Sequence, residues 1–198
     1  MEQIVRYFPG LSEASRAQLA QLGSLYAQWN ARINVVSRAD IGSLYEHHVL
    51  HSLAIAKAVS LSGRVLDLGT GGGFPGIPLA ILLPQVRFVL IDGTGKKVRV
   101  AKAVAEAVGL TNVVCLHRRA EELRGERFDA VVTRGVAPLP ELVRWARPLT
   151  TWLIALKGGD LGSELQALHG VRGIETWAVS DFFREPFFEE KQVVSVLL

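Results

Sequence analysis

Hydrophobic positions change their spacing near residue 60. Before it, Leu19, Leu22, Leu25, Tyr26, Trp29 and Ile33 recur three and four apart, with Arg16, Gln18, Gln21, Gln28 and Arg32 on the other side. That spacing predicts an amphipathic helix. A polar break follows at 34–40, and Asp40 is suited to cap a second helix running through Tyr45, Val49, Leu53 and Ala56. The WNARIN turn at 29–34 is polar but flanked by Trp29 and Ile33. It is therefore expected to pack on the rest of the molecule, with Trp29 buried and Asn30 or Asn34 bonded to backbone.

From residue 64 short apolar runs take over, at 65–68, 86–91, 113–116, 130–133 and 152–156. Helix-like stretches at 77–83, 96–108 and 139–146 lie between most of them. Near-continuous apolar strands alternating with helices indicate a parallel sheet covered on both faces. Two later runs, 174–179 and 193–198, have no good helix between them and suit an antiparallel pair at the sheet edge, joined by a loop at 181–190. The expected architecture is α/β: a seven-stranded, mostly parallel, doubly wound sheet (residues 61–198) with a helical N-terminal extension (residues 1–60) packed on it as one unit.

Composition narrows the class. With 198 residues, 49% hydrophobic and 21% charged, the chain fits one globular domain with a modest extension. The apolar runs are far too short to span a bilayer, and no signal-peptide pattern opens the chain, so no membrane association is expected. The single cysteine, Cys115, excludes an internal disulfide framework and fits a reducing cytoplasm. A net charge of +3 permits a nucleic-acid partner without requiring one. A monomer is the expected state.

The run VLDLGTGGGFPG at 65–76 joins a strand to a helix, where a nucleotide-type cofactor meets an α/β sheet. Gly71, Gly73 and Gly76 satisfy G-x-G-x-x-G, a weak signal shared with NAD and FAD proteins. Asp67 is more telling. A carboxylate just before the loop opposes a pyrophosphate but balances a cationic ligand or holds the loop. Asp92, ending the next strand nineteen residues after Gly73, is placed to accept both ribose hydroxyls of an adenosine. The Arg119-Ala120-Glu121 segment after the third strand would face the adenine.

Taken together, these segments resemble the bacterial 16S ribosomal RNA guanine-N7 methyltransferase family, RsmG or GidB, over nearly the whole chain. WNARIN at 29–34 resembles its W-N-x-x-x-N signature, and HVLHSL at 48–53 its H-x-L-D-S-L element. DLGTGGGFPGIP at 67–78 is similar to the long string D-x-G-T-G-x-G-[FL]-P-G-[IL]-P. Lys96-Lys97, Arg119-Ala120-Glu121, TRGVAP at 133–138 and ALKG at 155–158 follow in family order. His51 and Lys191 stand where the family usually has Asp and Arg. The resemblance implies methyl transfer from S-adenosylmethionine to N7 of a guanine near the decoding centre, on 16S rRNA or the 30S particle. It also implies cofactor contacts at Gly69, Phe74, Ala120, Glu121 and Arg134, beside the loop glycines Gly71 and Gly73 and the acid Asp92.

The remaining chemistry agrees. Guanine N7 carries a lone pair and no proton, so the reaction needs positioning rather than a base. At the fourth strand TRGV replaces the D/N-P-P-Y/F run of adenine-N6 and cytosine-N4 enzymes, and Cys115, inside an apolar run, reads as a small buried residue. Lys96, Lys97, Arg119 and Lys157 fall at the sheet's C-terminal rim and are candidates for RNA contact, whereas Arg99 and Lys102 read as a solvated helix face. His47 and His51 form an i, i+4 pair with no third ligand in view, so packing is expected rather than a metal. Lys157 keeps a ribose 2′-O-methyltransferase open. A NAD-binding oxidoreductase and a non-catalytic RNA-binding protein with a residual nucleotide pocket stay open beside it.

Overall fold

The computed structural model describes residues 1–37 and 39–198. Its seven strands are β1 (Arg64–Leu68), β2 (Arg87–Asp92), β3 (Val113–His117), β4 (Ala130–Arg134), β5 (Trp152–Gly158), β6 (Gly173–Ala178) and β7 (Lys191–Leu197). They form one sheet in the order β3-β2-β1-β4-β5-β7-β6. The first five are parallel, and β7 runs antiparallel between β5 and β6.

Alternation along the strands divides the core in two. Val65, Phe88, Leu90, Val132 and Ile154 face one side, together with α4 (Gly76–Leu82) and α5 (Gly95–Ala107). Leu66, Leu68, Val89, Ile91, Val131 and Leu153 face the other, against α6 (Leu139–Ala146). A helix of five residues, α7 (Gly162–Gln166), has no buried residue and so left no periodic trace in the sequence.

The extension comprises α1 (Glu2–Tyr7), α2 (Glu13–Asn30), a π-helical turn at Leu44–Leu50 and α3 (His51–Ala58). Its Leu19, Leu22, Tyr26, Leu50 and Leu53 join the first of the two cores. Polar bonds fasten it as well: Ser15 Oγ donates to Ile81 O (3.1 Å), and Gln18 Nε2 to Val108 O (2.9 Å). The loop expected at 181–190 is a pair of short 3-10 turns whose Phe183 and Phe188 are fully buried.

Three local expectations are revised. Asp40 caps no helix with its side chain; the carboxylate bonds Ser37 (2.8 Å) and His47 (2.9 Å) instead. Trp29 is half-buried against the core, because it lies at the exposed end of α2. Cys115 is also half-buried, and burial pushes its thiol up to about 12, which leaves it unreactive.

Asn30 holds the turn after α2. Its Oδ1 accepts from Val35 N (2.9 Å) and Val36 N (3.0 Å), and its Nδ2 donates to Val36 O (2.8 Å). Replacing Asn30 with Ala strands these backbone groups, and about 1–3 kcal/mol of stability should be lost. Urea unfolding would measure it; a midpoint equal to wild type would show that water replaces the amide.

Candidate functional site

Going outward from β1 along the sheet in either direction, to β2 or to β4, the connections lie on opposite faces. The crevice between β1 and β4 is therefore the switch point where ligands bind in sheets of this kind. A cavity of about 280 Å³ opens beside it. Leu68 and Gly69 come from the end of β1, Ile91 to Thr94 from the end of β2, and Arg118 to Glu121 from the segment after β3. Val136 and Trp145 close the remaining side.

The glycine loop owes its shape to two carboxylates. Asp67 is fully buried beneath it and accepts from Thr70 Oγ1 (2.6 Å) and from Gly76 N (2.8 Å), both on Oδ2. A side chain at Gly76 would strike that carboxylate, so only glycine lets the first turn of α4 approach it. Burial raises the Asp67 carboxyl to about 7, against the lowering effect of these hydrogen bonds and of Arg134. Asp92 clamps the loop from the side: its Oδ2 accepts from Gly71 N (2.9 Å) and its Oδ1 from Thr94 N (2.7 Å). Asp92 lines the cavity, and each of its oxygens keeps a further lone pair. Gly69, at φ +72°, is the closest approach of the loop to the opposite wall, where a Cβ would collide with Val136.

The candidate residues from the sequence thus fall into separate places. Gly69, Asp92, Ala120 and Glu121 line the cavity, and so does Arg119, a candidate for RNA contact, whose side chain lies over Gly93. Gly73 and Phe74 face the extension rather than the cavity: Phe74 packs on Tyr26 (4.7 Å between ring centroids) and His48 (5.3 Å). Arg134 also turns that way. Its Nη1 donates to His47 O (3.1 Å), its Nη2 donates to His48 Nδ1 (2.8 Å), and the guanidinium lies 5.1 Å from the Phe74 ring centre. Lys157 is held by Glu164 (2.8 Å) and donates to Ala137 O (3.2 Å), away from the residues lining the cavity. Lys96 and Lys97 border a different concavity, with Arg32, Asn34 and Arg99. Val136, Trp145 and Thr94 were missed because only the fold brings them to the cavity. His47 and His51 converge on Phe187, at 3.9 and 5.7 Å, and no group of three metal-ligating side chains occurs among the described residues.

The sheet order and the cavity at the strand C-termini define the fold of the class I methyltransferases. Solved structures agree: a TehB-like SAM-dependent methyltransferase from Corynebacterium glutamicum aligns with TM-score 0.58 at 17% identity, over 88% of this chain and 97% of that one. The fibrillarin of Aeropyrum pernix, crystallised with natively bound S-adenosyl-L-methionine, aligns with TM-score 0.58 at 16% identity, over 74% and 73%. Sequence goes further than fold. The model of the family GidB, rRNA small subunit methyltransferase G, matches residues 15–181, and the chain belongs to that family. Ribosomal RNA small subunit methyltransferase G of Bacteroides thetaiotaomicron is 51% identical, covering 98% of each chain. Its counterpart in Porphyromonas gingivalis is 52% identical, over 98% of this chain and 91% of its own.

His48 accepts from Arg134 only while neutral. Burial, reinforced by the Arg134 charge, lowers it to about 4. The unfolded chain takes up this proton near pH 6.5 and the native one near 4, so stability is whole above 6.5 and declines as pH falls between those values. Asp67, shifted upward, contributes in the opposite sense, so the useful quantity is a difference. The stability gap between wild type and His48→Asn should narrow from pH 7.5 to pH 5 in urea titrations. Parallel curves would mean that His48 titrates in the fold as it does in the unfolded chain, with no shift.

Proposed function

We propose that this protein transfers a methyl group from S-adenosylmethionine to N7 of a guanine in 16S ribosomal RNA, near the decoding centre, acting as a cytoplasmic monomer. The observation that carries the reading is the family match over nearly the full length, on a fold whose cavity has the donors and acceptors an adenosine requires. Asp92 would receive the ribose hydroxyls. Leu68, Ile91, Val136 and Trp145 offer apolar walls to the adenine, and Ala120 and Glu121 lie at its edge. Phe74 and Arg134, which the family resemblance marks as cofactor contacts, would act from the extension side of the loop, where His48 holds Arg134. No helix of the described residues is long and apolar enough to cross a membrane.

The cofactor supplies an electrophilic methyl on a sulfonium. The protein then has to bring N7 into line with it and exclude water, because N7 needs no proton removed. Lys157 fits this division of labour. Its ammonium is committed to Glu164 and Ala137, and Glu164 also accepts from Leu139 N (2.7 Å) at the start of α6. It braces the segment after β4.

Two outcomes test the reading. Gly69→Ala puts a Cβ at positive φ and against Val136, so S-adenosylmethionine affinity should fall roughly tenfold or more, about 1.4 kcal/mol per factor of ten. Adding Val136→Ala should restore part of it; a folded Gly69→Ala with wild-type affinity in calorimetry would remove this loop from the cofactor site. Methyl transfer to isolated 16S rRNA and to 30S particles, mapped by mass spectrometry, should yield 7-methylguanosine. Lys157→Ala should slow transfer without altering the shape of the pH–rate profile. Methyl on ribose, with Lys157→Ala recovering as pH rises, would replace the N7 reading with a 2′-O one.

A further inference from the structure

A groove of about 500 Å³ separates the end of α2 from the start of α5. Arg32, Ile33 and Asn34 form one wall, and Thr94, Lys96, Lys97 and Arg99 the other. Thr94 also lines the cofactor cavity, so the two concavities meet there.

The charges in the groove are of one sign. Four cations line it and no carboxylate does. Among the described residues, none of the four lies within ion-pair distance of an acid, whereas Arg64, Lys102 and Lys157 each have a carboxylate partner. Lys96 and Arg99 stand three apart on one helix, a like-charged pair that disfavours the helix unless an anion lies between. The first turn of α5 has no acidic residue and no side-chain cap, and the Asp92 carboxylate bonded to Thr94 N just before it lines the cavity rather than the groove. Such a surface is built for a polyanion.

We propose that this groove carries the phosphodiester backbone beside the target guanine, and that Arg32 and Arg99 are phosphate contacts on its two walls. The helical extension would then be the second wall of the RNA path as well as a cover for the sheet. A base entering the cavity leaves its flanking backbone on the adjoining surface, with one negative charge per nucleotide. The groove meets the cavity at the point where that backbone must pass. This inference rests on the reading that the substrate is RNA.

Arg32 and Arg99 are exposed, so Arg32→Gln/Arg99→Gln should fold with unchanged thermal stability. Binding to naked 16S rRNA would be measured across a series of KCl concentrations, with Lys102→Gln as control. Lys102 is on the same helix but is paired with Glu106 (3.8 Å) outside the groove. The double variant should bind rRNA about tenfold more weakly near 0.1 M salt. Its log–log salt slope should be shallower by about 0.7 for each lost contact with a single strand. Its affinity for S-adenosylmethionine should be unchanged, and Lys102→Gln should match wild type in all three measurements. An unchanged slope in the double variant, or an equal loss in Lys102→Gln, overturns the proposal. So does weakened binding to 30S particles with naked rRNA unaffected, which would place a ribosomal protein in the groove. Wild type that neither binds nor methylates rRNA removes the RNA reading itself, whereas wild type that methylates rRNA beside a double variant of unchanged slope removes the groove alone.

Discussion

Asp67 is a carboxylate enclosed in an apolar core, and the order of the glycine loop depends on it. Its Oδ2 holds Thr70 at one end of the loop and Gly76 at the other, so a span of seven residues is closed on a single oxygen. The second oxygen has no hydrogen-bond partner in the buried interior. Burying a carboxyl group in this way is unfavourable, and the raised pKa is the thermodynamic form of that cost. It is tolerated because the Asp67 carboxylate satisfies the Gly76 N–H and the Thr70 hydroxyl, which are buried beside it. Asp92 then fixes the outer edge of the same loop through Gly71. Two acids from neighbouring strands thus define the cradle, and one of them keeps lone pairs for a ligand.

The helical extension grips the loop from the far side. Tyr26 Oη donates to Gly72 O (2.8 Å) in a fully buried bond, while Phe74 sits between Tyr26, His48 and Arg134. Arg134, at the end of β4, reaches across to the π-helical turn. Burial lowers its guanidinium only to about 10, so it stays charged at neutral pH while its described partners are neutral acceptors. Its charge is offset through space by the Asp67 carboxyl rather than by a direct ion pair. The same contacts tie the cofactor loop, the extension and the end of β4 into one body.

Much of this was legible in the sequence because the signals are local. Near-continuous apolar runs gave the parallel strands, and the acid–glycine string with its long family resemblance located the cofactor loop. From its position Asp67 could be read as balancing a cationic ligand or as holding the loop, and its bonds to Thr70 and Gly76 show the second. The illegible parts are pairings that no periodic pattern announces. Glu164 lies only seven residues beyond Lys157, on a short helix with no buried residue, so a lysine at a strand end reads as a free rim charge until its partner is seen. Arg32 and Arg99 are sixty-seven residues apart, and α5 taken alone presents Arg99 as an ordinary solvated residue. The π-helical turn escaped because its apolar spacing scarcely differs from that of an α-helix, and Trp145 because a tryptophan on an amphipathic helix reads as core.

The pairing pattern of the basic residues is more informative than their number. A net charge of +3 is too small to mark a polyanion-binding protein, and it would be equally small if every cation were neutralised locally. Here the cations that brace the fold, Arg64 and Lys157, are matched to carboxylates, and Arg134 is matched to neutral acceptors on the helical extension. Those between α2 and α5 are left without acids. An N7 methylation asks for no acid–base group, so the charged residues of such an enzyme are free to serve binding and positioning. Loop rigidity comes from Asp67 and Asp92, and the proposed attraction of the RNA strand from unpaired surface cations. The two demands are met on opposite sides of Thr94, the residue that the cavity and the groove share.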